Sequence, residues 1–315
     1  MTPGLDFGAR LELSIPRYGC AYLSIAGQSA APDYREKELL SSGPASIDGK
    51  ATLEEHLDSL STRHASLRTV PLVVLGLRNS LVNLRAPVIH GKRFQAVDGE
   101  SPLESQRPYY GVEYRNSKLS MTVVRDEPAE WPDFFFAGIP VLWEGFTGES
   151  LLDLMLIEAA DHSHIFDLPR GNSPRATDST RQAWADLHTA FRRCVHADHD
   201  SAVEVMRGAV SKIDAPLTRS DDYLHAVLGI RADGALIYVC ANGRLEDLGQ
   251  AAKDHGCTRA VCVENSGSVM PTYLPKGIAG ETIPLLRAPN FRPHGRAVLV
   301  LELTQSTFES HRMIP

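Results

Sequence analysis

The segment from residue 222 to 268 constrains the fold of this chain more than any other. It reads DYLHAVLGI, RADG, ALIYVCANG, RLEDLGQAAKDHG and TRAVCVENSGS, the order of a strand, a turn, a strand, a helix, a strand and a small polar turn. Short β-rich runs bounded by Gly, Asp and Asn predict strands. Leu245, Leu248 and Ala252 recur at helical spacing, and Gly256 is a natural helix end. The segment therefore predicts strands accompanied by a helix.

The rest of the chain alternates between strand-rich and helix-rich stretches. Strands are predicted over 9–27 and 70–77, and hairpins over 86–149. A helix is predicted over 52–67, where Thr52 and Glu55 have the spacing of a capping box. Helix-forming residues fill 150–213, and a last strand covers 295–303. We predict an α+β fold with a mainly antiparallel or mixed central sheet and packed helices. One composite domain, 1–315, would contain 150–213 as a helical insertion.

Composition and charge exclude several classes of function. The chain has 315 residues, with 43% apolar and 23% charged residues and a formal net charge of -7. That charge disfavours nucleic-acid binding, because no excess of cations offsets phosphate repulsion. No apolar run reaches the length of a membrane helix, so no membrane partner is expected. The first residues lack a basic region followed by a long apolar one, which predicts no signal peptide and a cytoplasmic protein.

Cysteine and histidine spacing predicts no metal site. The five cysteines are scattered and are expected to be reduced and mostly buried. His162 and His164 would share a face on a strand, but in the predicted helical context they diverge. No phosphate-binding loop, nucleophile elbow or zinc-protease motif is present. We therefore expect no cofactor and a small-molecule substrate.

Three pieces of the last third have the order of a known family's motifs. Gly229, Asp233 and Gly234 lie in LGIRADG, Asn242 to Arg244 follow a strand, and residues 263–268 read VENSGS. This order resembles the phosphodiester glycosidase family, which includes the lysosomal enzyme that removes N-acetylglucosamine from a phosphodiester. The resemblance covers about 70–110, 133–149 and 222–303, and it is weaker in the first two ranges.

The chain departs from the family's pattern where the resemblance locates the site. Glu264 stands in place of an Asp, Asn265 and Ser266 in place of two glycines, and Asn242 in place of a second Asp. His225 occupies a position where an Arg is frequent. Two accounts fit these changes. The site is adapted to another reaction, or it is inactive.

The residue types suggest roles at such a site. A buried carboxyl group at position 264 could act as a general acid or base. His225 is its candidate partner, since an ordinary imidazole titrates near neutral pH. Backbone N–H groups in a turn of small residues can point at an anion, and arginine can grip one with a bidentate fork. The candidate catalytic residues are Glu264, His225 and Ser268; the candidate substrate-binding residues are Arg244, Asn265, Ser266, Gly267, Arg78, Asn79 and Asn242.

Three hypotheses of function follow. The first is a divergent phosphodiester glycosidase-like enzyme that acts on a glycosidic or phosphodiester-type bond, with a substrate from secondary metabolism. The second is a cyclase or isomerase on the same scaffold, whose pocket walls would include Phe134, Phe135, Phe136 and Trp143. The third is a non-catalytic protein that binds a sugar or another ligand.

Overall fold

The computed structural model describes residues 10–26, 41–42, 51–77, 88–90, 93–95, 109–124, 130, 132–145, 178, 182, 186, 201, 224–242, 245–264, 271–286, 294–295, 297–304 and 309–313. Most of these residues lie in strands, and the strands form three larger sheets and one short pair.

Sheet I carries the segment that constrains the fold. Its strands are β1 (Arg10–Ile15), β11 (Ile139–Trp143), β12 (Leu224–Arg231), β13 (Leu236–Asn242), β14 (Cys257–Glu264) and β19 (Glu309–Met313). Their order is β11-β14-β12-β13-β1-β19, and every neighbouring pair is antiparallel. The strands β12, β13 and β14, which are close in sequence, are thus neighbours in the sheet, with β12 in the middle.

Sheet II brings together strands from both ends of the chain. Its strands are β2 (Tyr18–Ile25), β3 (Ser41–Ser42), β5 (Leu72–Gly76), β15 (Thr272–Leu274), β16 (Ile283–Pro284) and β18 (Ala297–Leu303). Their order is β16-β15-β5-β18-β2-β3. Only the pairing of β2 with β3 is parallel among these described strands. The predicted strands 9–27, 70–77 and 295–303 are confirmed.

Sheet III is built from hairpins in the middle of the chain. Its strands are β6 (Val88–His90), β7 (Arg93–Gln95), β8 (Tyr109–Arg115), β9 (Lys118–Val124) and β10 (Phe134–Ala137). They are antiparallel in the order β7-β6-β10-β8-β9. Asn116 and Ser117 turn β8 into β9 with φ of 52° and 61°, the left-handed conformation that a tight hairpin requires. The short strands β4 (Ala51–Thr52) and β17 (His294–Gly295) pair separately.

Two α-helices are described from end to end, α1 (Leu53–Ser61) and α2 (Leu245–Asp254), and a 3₁₀ turn covers Ala65–Arg68. The predicted capping box on α1 is confirmed, since Thr52 Oγ1 accepts from Glu55 N at 3.1 Å and Glu55 Oε2 accepts from Thr52 N at 2.7 Å. The helix α2 packs on β11, β12, β13 and β14. Gly249 permits this close approach, because a Cβ there would lie 2.2 Å from Val141 O.

One apolar core is shared by the three larger sheets. Its buried side chains come from alternate positions of strands in sheets I, II and III. Within it Tyr114 stacks on Phe134 with ring centroids 5.1 Å apart, and Phe134 stacks on Phe136 at 6.3 Å. The buried side chains of α2, Leu248, Ala251 and Ala252, are not part of this core. The helix therefore covers the opposite face of sheet I.

The predicted α+β fold, with a central sheet that carries packed helices and a helical insertion, is wrong. The described residues form a β-rich fold in which mainly antiparallel strands are divided among several sheets. The alternation of apolar and polar residues identifies a strand, but it does not identify the sheet to which that strand belongs. Most strands of the predicted hairpins in 86–149 form a separate sheet, sheet III. The range 150–213 lies outside the described residues apart from Asp178, Gln182, Asp186 and Ser201. None of the described helices is both long and apolar enough to cross a membrane.

Candidate functional site

Three of the predicted site residues lie at the same end of three neighbouring strands. His225 is the second residue of β12, Asn242 ends β13, and Glu264 ends β14. The register places Leu224 opposite Asn242, His225 opposite Ala241 and Ala226 opposite Glu264. The three residues therefore lie at the same end of neighbouring strands of sheet I, and the direction of each side chain decides which of them can meet.

Burial changes the expected chemistry of His225. The side chain is 2% exposed, and desolvation lowers its pKa to about 4. The sequence analysis assumed an ordinary imidazole that exchanges its proton near neutral pH. In the folded chain the ring is neutral at pH 7, because a buried site disfavours the charged form. His225 is thus a neutral hydrogen-bonding group and not a proton carrier at that pH.

A β-bulge at the end of β14 controls the direction of Glu264. Val227 lies opposite Cys262, but the next residue of β12, Ala226, lies opposite Glu264, so β14 holds one extra residue, Val263. Directly opposite residues of an antiparallel pair share a face of the sheet. Ala226 and Val263 belong to the shared core. Glu264 therefore turns toward the core face, and it is 1% exposed.

The bulge separates Glu264 from His225. Side chains alternate along β12, so His225 shares a face with Val227, and that is the face that α2 covers. The two residues lie on adjacent strands and at the same edge, but they point to opposite faces of sheet I. Asn242 alternates with Cys240 and Tyr238 along β13, and these two belong to the core face. By register, Asn242 shares the face of Glu264.

Buried thiols surround the end of β14. Cys262 Sγ donates to the backbone oxygen of Glu264 at 3.4 Å. Burial raises the pKa of Cys262 to about 12 and also raises that of Cys240. Both thiols are therefore protonated at neutral pH, and neither has the depressed pKa of a reactive cysteine. This outcome agrees with the prediction of reduced, buried cysteines, since Cys240, Cys257 and Cys262 are free and buried.

Asp233 and Gly234, two residues of the first motif of the family resemblance, lie in the turn at the far end of β12. Gly234 has φ of 85° in the turn between β12 and β13, where Gly234 N donates to Arg231 O. Asp233 Oδ1 accepts from Ala235 N at 3.1 Å, and Asp233 forms an ion pair with Arg231. These residues close a hairpin, about 20 Å along the strand from His225. Asp233 and Gly234 thus have a structural role away from the site.

Most of the predicted substrate-binding residues fall outside the described residues. They are Arg78, Asn79, Arg244, Asn265, Ser266, Gly267 and, among the predicted catalytic residues, Ser268. Their placement at the site stays a prediction.

The aromatic residues proposed as pocket walls are core residues. Phe134, Phe135 and Phe136 are each 0% exposed in β10 of sheet III. Trp143 is 6% exposed and packs edge-on against Tyr110 at 4.8 Å, with the Arg259 guanidinium 5.0 Å from its ring centre. These contacts account for all four aromatic residues as packing, so they give no support to an apolar pocket for a cyclase or isomerase.

Two groups near sheets I and II escaped the sequence analysis. Tyr238 is fully buried in β13, and its only sequence signal is a hydroxyl-bearing residue in the apolar run ALIYVCA. The second group is a buried pair, Ser24 and His56, whose Oγ and Nδ1 atoms are 2.7 Å apart. No sequence pattern joins them, since they lie on β2 and α1. Within the described part of the chain, no group of His, Cys, Asp or Glu is arranged to hold a metal ion.

Comparison with known proteins finds distant structural likeness only. No family model matches the chain, and no curated protein matches it. The zebrafish N-acetylglucosamine-1-phosphodiester alpha-N-acetylglucosaminidase catalytic domain, auto-inhibited by its pro-peptide, is similar with a TM-score of 0.42 and 10% identity. The likeness covers 91% of this chain and 73% of that one. A hypothetical protein from Synechocystis is similar with a TM-score of 0.33 and 9% identity, over 94% of this chain and 59% of that one.

Proposed function

We propose that the chain is a hydrolase-type enzyme that acts on a glycosidic or phosphodiester-type bond of a small molecule, with Glu264 as its general acid or base. One observation carries the proposal. The single carboxyl group at the end of β14 is 1% exposed and is turned by a bulge toward the core face. Bulges are over-represented beside active sites, where they redirect a side chain. The family resemblance assigns its acidic residue to this same position.

The proton chemistry falls to Glu264 in this proposal. A carboxyl group at the end of a strand can give a proton to a leaving oxygen or take one from water. His225 is neutral at pH 7, because burial lowers its pKa to about 4, so it contributes hydrogen bonds and packing at the end of β12. Asn242 is the proposed amide contact on the side of Glu264. By resemblance, Arg244, Arg78, Asn79 and residues 265–268 would bind the anionic or sugar part of the substrate.

The departures from the family's motifs favour a substrate other than the family's own. Asn265 and Ser266 tolerate the left-handed backbone less readily than the glycines they replace, which weakens a turn built to hold a phosphate. Glu264 is longer than Asp by one methylene and reaches further across the core face. An intermediate of secondary metabolism is the class of substrate that we propose.

The decisive test removes the proton of Glu264 without changing its shape. Glu264→Gln should lower kcat on bis(p-nitrophenyl) phosphate or on p-nitrophenyl N-acetyl-α-glucosaminide at least about 100-fold, the scale of general acid–base catalysis. The matched control is Glu281→Gln, the same substitution at an exposed residue, which should leave kcat unchanged. Equal turnover by the wild type and Glu264→Gln would remove this residue from the mechanism.

A further inference from the structure

A second, smaller apolar cluster lies on the outer face of sheet II. Side chains alternate between the two faces of the sheet, so along β18 Leu299 belongs to the shared core and Val300 to the smaller cluster. The helix α1 contributes Leu57 and Leu60 to the smaller cluster, and the 3₁₀ turn contributes Leu67. Sheet II therefore separates the layer formed by α1 from the shared core.

One buried histidine joins this layer to two other segments. His56 of α1 is 0% exposed, and its Nε2 atom lies 3.2 Å from the carbonyl oxygen of Gly295 in β17. Its Nδ1 atom lies 2.7 Å from the hydroxyl oxygen of Ser24 in β2. Because a carbonyl oxygen only accepts, Nε2 carries the proton and Nδ1 accepts from Ser24 in the neutral ring. We call these two hydrogen bonds the His56 clasp.

A proton added to the ring is incompatible with the clasp as it stands. A protonated imidazole donates from both nitrogens, so Nδ1 can no longer accept from Ser24. The Ser24 side chain is 0% exposed, and its hydroxyl proton would need another acceptor within the layer. The new charge would also lie away from water, and burial lowers the pKa of His56 to about 4. The ring therefore takes up its proton mainly when the layer opens to water.

Few charged groups act on the clasp. The helix α1 packs against β2, β3, β4, β18 and the 3₁₀ turn. Among the described side chains, the titratable or charged groups on the α1 side of sheet II, at the 3₁₀ turn and on α1 itself are Cys20, Tyr22, Glu302, His64, Arg68, Glu54, Glu55 and Asp58. The charge of Glu55 favours the protonated ring, but burial has the larger effect on His56. The closed layer therefore keeps His56 neutral.

We propose that the His56 clasp is an acid-sensitive switch, in which protonation of His56 opens α1 from sheet II while the shared core stays folded. The inference goes beyond the proposed reaction and does not depend on it. Local opening needs only the loss of the smaller cluster and the clasp, because the contacts of α1 lie on the outer face of sheet II. The shared core on the other face of the sheet keeps its contacts.

Native-state hydrogen exchange of the full chain tests the switch. The amides from Leu57 to Ser61, which donate within α1, should lose protection about tenfold per pH unit between about pH 6 and about pH 4.5, after correction for the intrinsic exchange rate. The physical reason is that each opening takes up one proton in this window. Protection of these amides should also depend only weakly on denaturant, since a local opening exposes little surface.

Two variants form a matched pair for this experiment. His56→Asn and His225→Asn each remove one buried histidine whose pKa is lowered to about 4. His56→Asn should abolish the pH dependence of protection in α1. His225→Asn should leave it unchanged, because His225 lies in sheet I and stays buried when α1 alone opens.

Three results would overturn the inference. The first is an unchanged pH dependence of protection in α1 of His56→Asn. The second is an equal loss of that dependence in both variants, which would show that α1 opens only when the whole molecule unfolds. The third needs no variant: it is a denaturant dependence of the α1 amides in the wild type that equals that of the most protected amides of β12 and β13.

Discussion

Two histidines of this chain are neutral because the fold removes them from water. Burial lowers the pKa of both His56 and His225 to about 4. The Nε2–H group of His56 donates to the Gly295 carbonyl oxygen at 3.2 Å, since a carbonyl can only accept. Its Nδ1 then accepts from the Ser24 hydroxyl at 2.7 Å. This tautomer joins α1 to β2 and to β17.

The buried histidines should make the protein sensitive to acid. Between about pH 6.5 and about pH 4 each histidine binds a proton in the unfolded chain but not in the folded one, so stability falls as pH falls. Above this window both states are neutral and the effect is absent. The slope is about 1.4 kcal/mol per pH unit for each histidine, roughly 3 kcal/mol across the window. Denaturant unfolding at a series of pH values measures it.

The source of that slope can be assigned by substitution. His56→Asn and His225→Asn should each lower the slope of unfolding free energy against pH by the amount that one proton contributes, about 1.4 kcal/mol per pH unit. The double variant should lower it by about twice that amount. The same slope in all four proteins would show that other groups control the acid sensitivity.

At the scale of elements, the sequence predicted the ends of helices correctly, but it contained no signal for the way in which strands pair. The capping box of α1 and the end of α2 near Gly256, where φ is 83°, follow from residues within one or two turns. The bulge at Val263 does not, because it depends on how β14 pairs with β12. The face of Glu264 is therefore beyond a sequence argument, although its position at a strand end was predicted correctly.

The capping box offers a test of a single element. Thr52→Ala removes the side chain that accepts from Glu55 N, and helix stability should fall by about 1 kcal/mol. Thr52→Ser should retain the bond and most of the stability. Glu54→Ala changes an exposed residue of the same turn outside the box and serves as the control. Equal unfolding free energies for Thr52→Ala and Glu54→Ala would contradict a role of the cap.

At the scale of the whole molecule, the arrangement of sheets was the part that the sequence could not supply. The run 134–137, FFFA, is apolar, which predicts a buried strand. Its place in a third sheet depends on its pairing with β6 and β8, which precede it by about 20 residues or more. The burial that makes His225 neutral has the same origin, since α2 covers one face of sheet I and the shared core covers the other. The sheet to which a strand belongs and the burial of its side chains depend on how the layers pack together. The sequence of one strand does not determine either of them.

The shared core predicts one cooperative unfolding transition, as proposed for a single composite domain over 1–315. Leu13 in sheet I, Leu299 in sheet II and Phe136 in sheet III belong to the same apolar cluster. Each of these side chains is buried, with at most 1% of its surface exposed. Leu13→Ala and Leu299→Ala should each cost about 2–5 kcal/mol, and Phe136→Ala about 3–5 kcal/mol. In each variant, circular dichroism and tryptophan fluorescence should report one shared midpoint, lower than in the wild type. If the sheets belonged to independent domains, a substitution would shift one of two transitions and leave the other in place, because domains without a common core unfold separately.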